Sequence, residues 1–74
     1  MRRHQCDFIG CANLATGSTL KQIGNSLFSI WSCEAWIPGG TLDKPNTHYT
    51  FLHQTFDEEL IKQHYRLRKG QQIK

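Results

Sequence analysis

The segment from Trp36 to Leu52 constrains the fold more than any other part of this chain. It reads as two short extended runs around a polar tip, Asp43-Lys44-Pro45-Asn46. In the second run, Tyr49 and Phe51 alternate with other residues as in a half-buried strand. We therefore predict a β-hairpin at about Trp36–Leu52.

A helix is predicted immediately after this hairpin, at about Phe56–Lys69. Thr55 and Glu58 have the spacing of a capping box, and three consecutive acidic residues occupy the first turn. Basic residues occupy the last turn, and Gly70 stands where helices often end. These signals place a helix directly behind the hairpin.

The residues before the hairpin favour short helices. Ser18–Ile23 has a weak capping signal at Thr19, and Gly24-Asn25-Ser26 reads as a turn and a new N-cap. Apolar residues in Ser26–Ala35 then recur with helical spacing. Helix, turn and helix followed by a hairpin and a helix predict an α+β fold, a small winged helix-turn-helix. The conformation of residues 1–17 stays open.

The chain is expected to form a single domain over residues 1–74, with a winged-helix-like core at about 18–69 and a frayed tail at 70–74. Its 74 residues allow only a small core. The periodicities predict that this core contains Phe28, Trp31, Tyr49, Phe51, Phe56 and Leu60.

Composition indicates a cytoplasmic protein with no membrane association. There is no run of 18 apolar residues, and no apolar stretch follows the basic start, so neither a membrane span nor a signal peptide is expected. Three cysteines in an unexported chain are expected to be reduced thiols.

Charge favours an anionic partner. The net charge is +3 and the basic residues concentrate at the two ends of the chain, whereas all six acidic residues lie between them. Charge separated in this way can create a positive face that attracts phosphates. Duplex DNA is therefore an expected partner.

Four short motifs stand out between residues 35 and 57: Ala35-Trp-Ile-Pro-Gly39, Lys44-Pro-Asn-Thr47, Phe51 and His53-Gln-Thr-Phe-Asp57. Together they resemble the small phage and prophage excisionases. The resemblance covers about residues 23–61. It implies a non-catalytic, architectural factor of site-specific recombination that bends DNA, recruits an integrase and binds beside further copies of itself.

The excisionase-like interpretation assigns DNA contacts to two elements and to the N-terminus. Residues 27–35 contain no Arg or Lys, so reading of bases in the major groove would fall to Ser and Asn side chains. The wing tip and the basic N-terminus would contact phosphates or the minor groove. The candidate DNA-binding residues are Arg2, Arg3, Asn25, Ser26, Ser29, Ser32, Lys44, Asn46 and Thr47.

A second set of residues has the chemistry of a metal site. His4, Cys6, Cys11 and Cys33 offer ligands that zinc accepts. However, the chain lacks the Cys-x-x-Cys pair that makes zinc motifs specific. We therefore expect free thiols with no metal or other cofactor, while zinc binding by these four residues stays open.

The two other classes of function are an enzyme and a protein-binding module. An enzyme is not expected, because the histidines and cysteines show no recognisable catalytic spacing and the small core offers little shelter. The alternative to DNA binding is a small phage-encoded protein that binds and inhibits or redirects a host enzyme. The tryptophans and phenylalanines suit such an interface.

Overall fold

A computed structural model describes residues 4–39 and 46–73. A three-stranded antiparallel sheet, with spatial order β1-β2-β3, consists of β1 (Gly17–Ile23), β2 (Ser26–Ser32) and β3 (Gln72–Ile73). Two helices, α1 (His48–Gln54) and α2 (Glu58–His64), lie between β2 and β3 in the sequence, and a 3-10 turn at Lys69–Gln71 leads into β3. The strands that begin the fold thus precede its helices.

β1 and β2 form a hairpin in which Gly17 pairs with Ser32 and Ile23 pairs with Ser26. The two intervening residues form the turn. Gly24 has a φ of 61° at its first position, where a type II′ hairpin turn needs a positive φ. The turn predicted at residues 24–26 is therefore present, but it joins two strands rather than two helices.

Both helices are short and each begins at a side-chain cap. The Thr47 hydroxyl accepts a hydrogen bond from the Thr50 amide at 3.0 Å, and the Asp57 carboxylate accepts one from the Glu59 amide at 3.0 Å. Thr55 lies at the end of α1, where its amide donates to the Phe51 carbonyl. The capping box predicted at Thr55 is therefore wrong. A helix in this region is confirmed over Glu58–His64, but the predicted end at Lys69 is wrong, because α2 ends at His64.

The apolar core lies between the sheet and the helices. Its buried members are Ile23, Ile30, Leu52, Ile61 and Tyr65, and Phe8, Phe28, Phe51 and Leu67 pack against them. The predicted core is partly wrong, because Phe56 is 87% exposed, Leu60 is exposed and Trp31 lies on the face of β2 opposite the buried Ile30.

The N-terminal segment is tied to both halves of the fold by backbone hydrogen bonds. The Asp7 amide donates to the Trp31 carbonyl of β2, and the Asp7 carbonyl accepts from the Arg66 amide just beyond α2. The Ile9 amide donates to the His64 carbonyl. These bonds place the loop that contains Cys6 and Cys11 against the end of β2.

The predicted winged helix-turn-helix is contradicted by this architecture. The segments expected to be the two helices of the helix-turn-helix are strands β1 and β2, and the expected return strand of the wing is α1. Within the described residues, the base of the expected wing is present as an isolated antiparallel bridge between Trp36 and Thr47. The predicted tip at residues 43–46 lies largely outside the described residues.

The physical reason for the correction is a period of two in the first hairpin. In β1, Thr19, Lys21 and Ile23 are the more buried residues, whereas the intervening Ser18, Leu20 and Gln22 are exposed. Leu20 and Ile23, the apolar residues of this segment, fit helical spacing, but Leu20 is exposed in the strand, so the spacing alone did not separate the two structures. Pairing between the two strands decides in favour of the sheet.

Candidate metal centre

Three cysteines and one histidine meet at the junction of the N-terminal loop, β2 and α1. Cys6 and Cys11 lie in the loop, Cys33 directly follows β2, and His48 is the first residue of α1. All four residues are buried, and their ligand atoms lie within 4.8 Å of one another. Cys6, Cys11, Cys33 and His48 are hereafter called the metal cluster.

The donor atoms of the cluster are close enough to share one ion. The Cys11 and Cys33 sulfurs are 3.5 Å apart. His48 Nδ1 lies 3.6 Å from the Cys6 sulfur and 3.5 Å from the Cys33 sulfur. His48 therefore points Nδ1, rather than Nε2, at the cysteines.

These separations match the edges of a zinc-centred tetrahedron. Zinc bonds of about 2.3 Å to sulfur and about 2.05 Å to nitrogen place adjacent donors about 3.8 Å (S···S) and about 3.6 Å (S···N) apart. The two S···N distances agree closely with this geometry, and the S···S distance is shorter by about 0.3 Å. The donor set also suits the ion, because thiolate and imidazole are preferred zinc ligands.

Local structure brings the two loop cysteines together. The Cys6 amide donates to the Asn13 carbonyl, and the Cys11 amide donates to the Phe8 carbonyl at 3.0 Å. Gly10 has a φ of 90°, a conformation that other residues rarely adopt, and it reverses the chain just before Cys11. A tight turn thus points both thiols toward the end of β2.

Backbone hydrogen bonds hold His48 opposite Cys33. The His48 amide donates to the Ala35 carbonyl at 3.0 Å, and the Tyr49 amide donates to the Cys33 carbonyl at 2.8 Å. The buried Tyr65 hydroxyl donates to the His48 carbonyl at 2.5 Å. The start of α1 is therefore fixed to the chain that follows β2.

A stacking contact with a neighbouring aromatic ring also fixes the orientation of the His48 imidazole. The His48 ring is stacked on Phe8, with ring centroids 3.9 Å apart and an interplanar angle of 3°. Burial lowers the pKa of His48, which favours the neutral imidazole. Neutral imidazole is the form that binds a metal.

The cysteine environment distinguishes the three thiols. Burial raises the pKa of the Cys6 thiol to about 12, so an ion would have to displace its proton. Burial also raises the pKa of Cys33, but hydrogen bonds from the Ala35 amide, from the other two thiols and from Asn13 outweigh it, and the net direction is downward. The Ala35 amide lies 3.4 Å from the Cys33 sulfur, so Cys33 is the thiol best prepared to carry negative charge.

The cluster has the character of a structural rather than a catalytic centre. It supplies four protein ligands, which complete a tetrahedral zinc shell and leave no position for water or substrate. The relative exposures of the four residues lie between 1% and 9%. An ion held here would join the N-terminal loop, the sheet and α1.

The sequence identified three of the four residues and the wrong histidine. Instead of joining the cysteines, His4 stacks on Trp31 with ring centroids 3.8 Å apart. His48 lies 15 residues after Cys33, with no short motif to connect them. The only signal in the sequence was the presence of other histidines, and the fold was needed to choose among them.

The candidate DNA-binding residues are dispersed. Arg2, Arg3 and Lys44 lie outside the described residues. The others lie in the hairpin turn, on β2, or just before α1: Asn25, Ser26, Ser29, Ser32, Asn46 and Thr47. Ser32 is fully buried, and Thr47 is the buried cap of α1. The segment expected to be the recognition helix is strand β2, and the expected return strand of the wing is α1, so these residues do not lie on a recognition helix and a wing strand as predicted.

Comparison with protein-family models, with curated proteins and with solved structures finds no match. Nothing in these comparisons identifies an excisionase. In the parts of the chain that the structure describes, no helix is long and apolar enough to cross a membrane.

Proposed function

We propose that this chain is a small zinc-binding domain in which Cys6, Cys11, Cys33 and His48 hold one structural Zn²⁺. The observation that carries the proposal is the spacing of the donor atoms, 3.5–3.6 Å for three of the pairs within a buried set of four. Four ligands from three separate segments do not converge in this way by local sequence spacing alone.

The size of the domain supports a stabilising role for the ion. A core of five buried apolar side chains is small for an independent domain, and chains of this length often use metals or disulfides as cross-links. The cluster brings residues 6 and 11 next to residues 33 and 48, so a bound ion would cross-link positions that are far apart in the sequence. Without the ion, packing of the core alone offsets the entropy cost of closing these loops. Zinc binding is thus coupled to folding in this proposal.

The redox state of the cysteines follows from the same proposal. Zinc binds thiolates, so all three cysteines must stay reduced, and they are free thiols in the structure. A reducing compartment such as the cytoplasm fits this requirement. We propose a cytoplasmic location on this basis.

The proposal replaces the expectation of metal-free thiols and leaves the partner of the domain as a separate matter. An excisionase-like role on duplex DNA remains a prediction, but the helix-turn-helix that motivated it is replaced by a sheet. The alternative, binding of a host enzyme, also stays a prediction. A structural zinc domain is compatible with either partner, because the ion shapes the fold without taking part in the contact.

The test is the metal content of the purified chain. We expect native mass spectrometry of protein expressed with zinc in the medium to show one Zn²⁺ per chain. The variant His48→Asn should lose most of this zinc, whereas His53→Asn, an exposed histidine on the same helix, should retain it. Metal-free protein that is folded and does not take up added zinc would refute the proposal.

A further inference from the structure

A pocket on the outer side of the sheet lies apart from the metal cluster. It has a volume of about 470 Å³, within the range of small-molecule sites. Its walls include an aromatic pair, one guanidinium and several polar side chains, contributed by His4, Asp7, Ser29, Trp31, Arg68 and Gln71. None of these residues belongs to the metal cluster.

The aromatic wall is a stacked pair. The His4 and Trp31 rings are nearly parallel, with an interplanar angle of 4° and centroids 3.8 Å apart. Trp31 lies on the face of β2 opposite the buried Ile30 and Ser32, and His4 is exposed. Both rings line the pocket, with His4 as the exposed member of the pair.

A network centred on the Gln71 side chain holds the far wall. Its amide nitrogen donates to the Asp7 carboxylate and, at 3.3 Å, to the Ser29 carbonyl. Its amide oxygen accepts from the Arg68 amide at 2.8 Å. The same Asp7 carboxylate accepts from the Trp31 amide at 2.9 Å. The network thus fixes the turn that carries Arg68 against the strand that carries Trp31.

The chemistry of the two walls points to one class of ligand. Stacked aromatic rings bind nucleobases without regard to sequence, and a guanidinium at the rim can bind the phosphate that follows the base. The buried Asp7 carboxylate is satisfied by two N–H donors, so it acts in building the pocket rather than as a free negative charge. The net charge of +3 favours a polyanion over a neutral ring compound.

We propose that this pocket binds a nucleotide unit of single-stranded nucleic acid. The base stacks on the His4–Trp31 pair and Arg68 contacts the adjacent phosphate. A base inside a duplex does not fit this arrangement, because it cannot enter the pocket without leaving its stack. This function is separate from zinc binding and needs no contact with the ion.

The fluorescence of Trp31 provides a direct readout. Trp36 does not line the pocket, so the variant Trp36→Phe leaves Trp31 as the sole tryptophan reporter. The probes are a ten-nucleotide single-stranded DNA, the RNA of the same sequence, the corresponding DNA duplex, and adenosine monophosphate. We expect either or both single strands to quench Trp31, with the affinity falling as salt rises, and the duplex and the mononucleotide to bind at least tenfold more weakly.

Variants separate the pocket from general charge attraction. His4→Ala, at an exposed position, should weaken binding about 5- to 150-fold, since stacking on one aromatic ring has that effect per base. Arg68→Gln should weaken binding more than Lys62→Gln, which removes the same charge from an exposed position on α2. Melting curves of each zinc-loaded variant verify that it is folded.

Three outcomes would overturn the proposal. One is the absence of quenching by either single strand at low salt in a folded protein. Another is equal loss of affinity in Arg68→Gln and Lys62→Gln, which would mean that charge alone attracts the strand. The third is binding of the duplex or of adenosine monophosphate as tightly as the single strands. A chain that fails these tests while holding zinc would leave the metal proposal intact.

Discussion

Replacing His48 with Asn should destabilise the domain far more in the presence of zinc than in its absence. The substitution removes one of four donor atoms, and it also removes the ring stacked on Phe8. The stack accounts for the cost without zinc, about 0.5–1.5 kcal/mol for an aromatic pair.

The additional cost with zinc follows from the loss of a ligand. Loss of a residue that merely supports a ligand lowers metal affinity about 10- to 100-fold, so loss of the ligand itself should lower it at least about 100-fold. A hundredfold loss of affinity corresponds to about 2.7 kcal/mol. At saturating zinc for the parent, the free energy of unfolding should therefore fall by about 3–4 kcal/mol in total.

The assay is urea unfolding of parent and variant, each with added zinc and with a chelator. His53→Asn is the matched control, because His53 lies exposed on the same helix, and its cost should stay within about 0.5 kcal/mol in both conditions. An equal cost of His48→Asn with zinc and with chelator would show that His48 contributes packing alone, and the reasoning would be wrong.

Three further predictions concern the core, the support of the centre and pH. Ile61→Ala should lower the free energy of unfolding by about 2–5 kcal/mol, because Ile61 is buried in the core. Leu60→Ala, at an exposed position on the same helix, should lower it clearly less, and urea unfolding measures both. Tyr65→Phe should cost about 1–2 kcal/mol and also weaken zinc binding in a competition titration with a chelator, because it removes the hydrogen bond to the His48 carbonyl. Burial lowers the pKa of His48 below its unfolded value near 6.5, so the unfolded chain binds more protons than the folded one. The free energy of unfolding of the metal-free protein should therefore fall as the pH falls below about 6.5. If His48→Asn had the same pH profile of stability as the parent, this prediction would be wrong.

Some of the fold followed from local chemistry. The turn at Gly24 and Asn25 was predictable because glycine accepts the positive φ that a tight hairpin turn needs. The helix at Glu58–His64 was predictable from its acidic start, although its cap proved to be Asp57 and the basic residues that were expected to end it lie beyond it. Both features depend on residues that are close in the sequence.

Other elements depend on partners that are distant in the sequence. Ser26–Ser32 has apolar residues at spacings that suit a helix or a strand, and pairing with β1 and β3 decides the outcome. Tyr49 and Phe51 favour a strand, yet Thr47 caps a helix that buries Leu52 in the core. Propensity over seven residues is too weak to overcome such tertiary contacts.

The candidate metal centre also depends on a contact between residues that are distant in the sequence. The three cysteines were recognisable as ligands, but the fourth ligand depends on how the chain returns from Cys33 to the start of α1. His4 is only two residues from Cys6, so proximity in the sequence favoured it. Its stacking on Trp31 instead places it at the nucleotide pocket that we propose.

The most direct test of the zinc centre is X-ray absorption at the zinc K-edge of the loaded protein. We expect a four-coordinate ion with three sulfur ligands at about 2.3 Å, one nitrogen at about 2.0 Å and the multiple scattering of one imidazole ring. In His48→Asn the imidazole scattering should disappear or the ion should be lost, and His53→Asn should leave the spectrum of the parent unchanged. A shell of oxygen and nitrogen without sulfur, or unchanged imidazole scattering in zinc-loaded His48→Asn, would contradict the assignment of this centre.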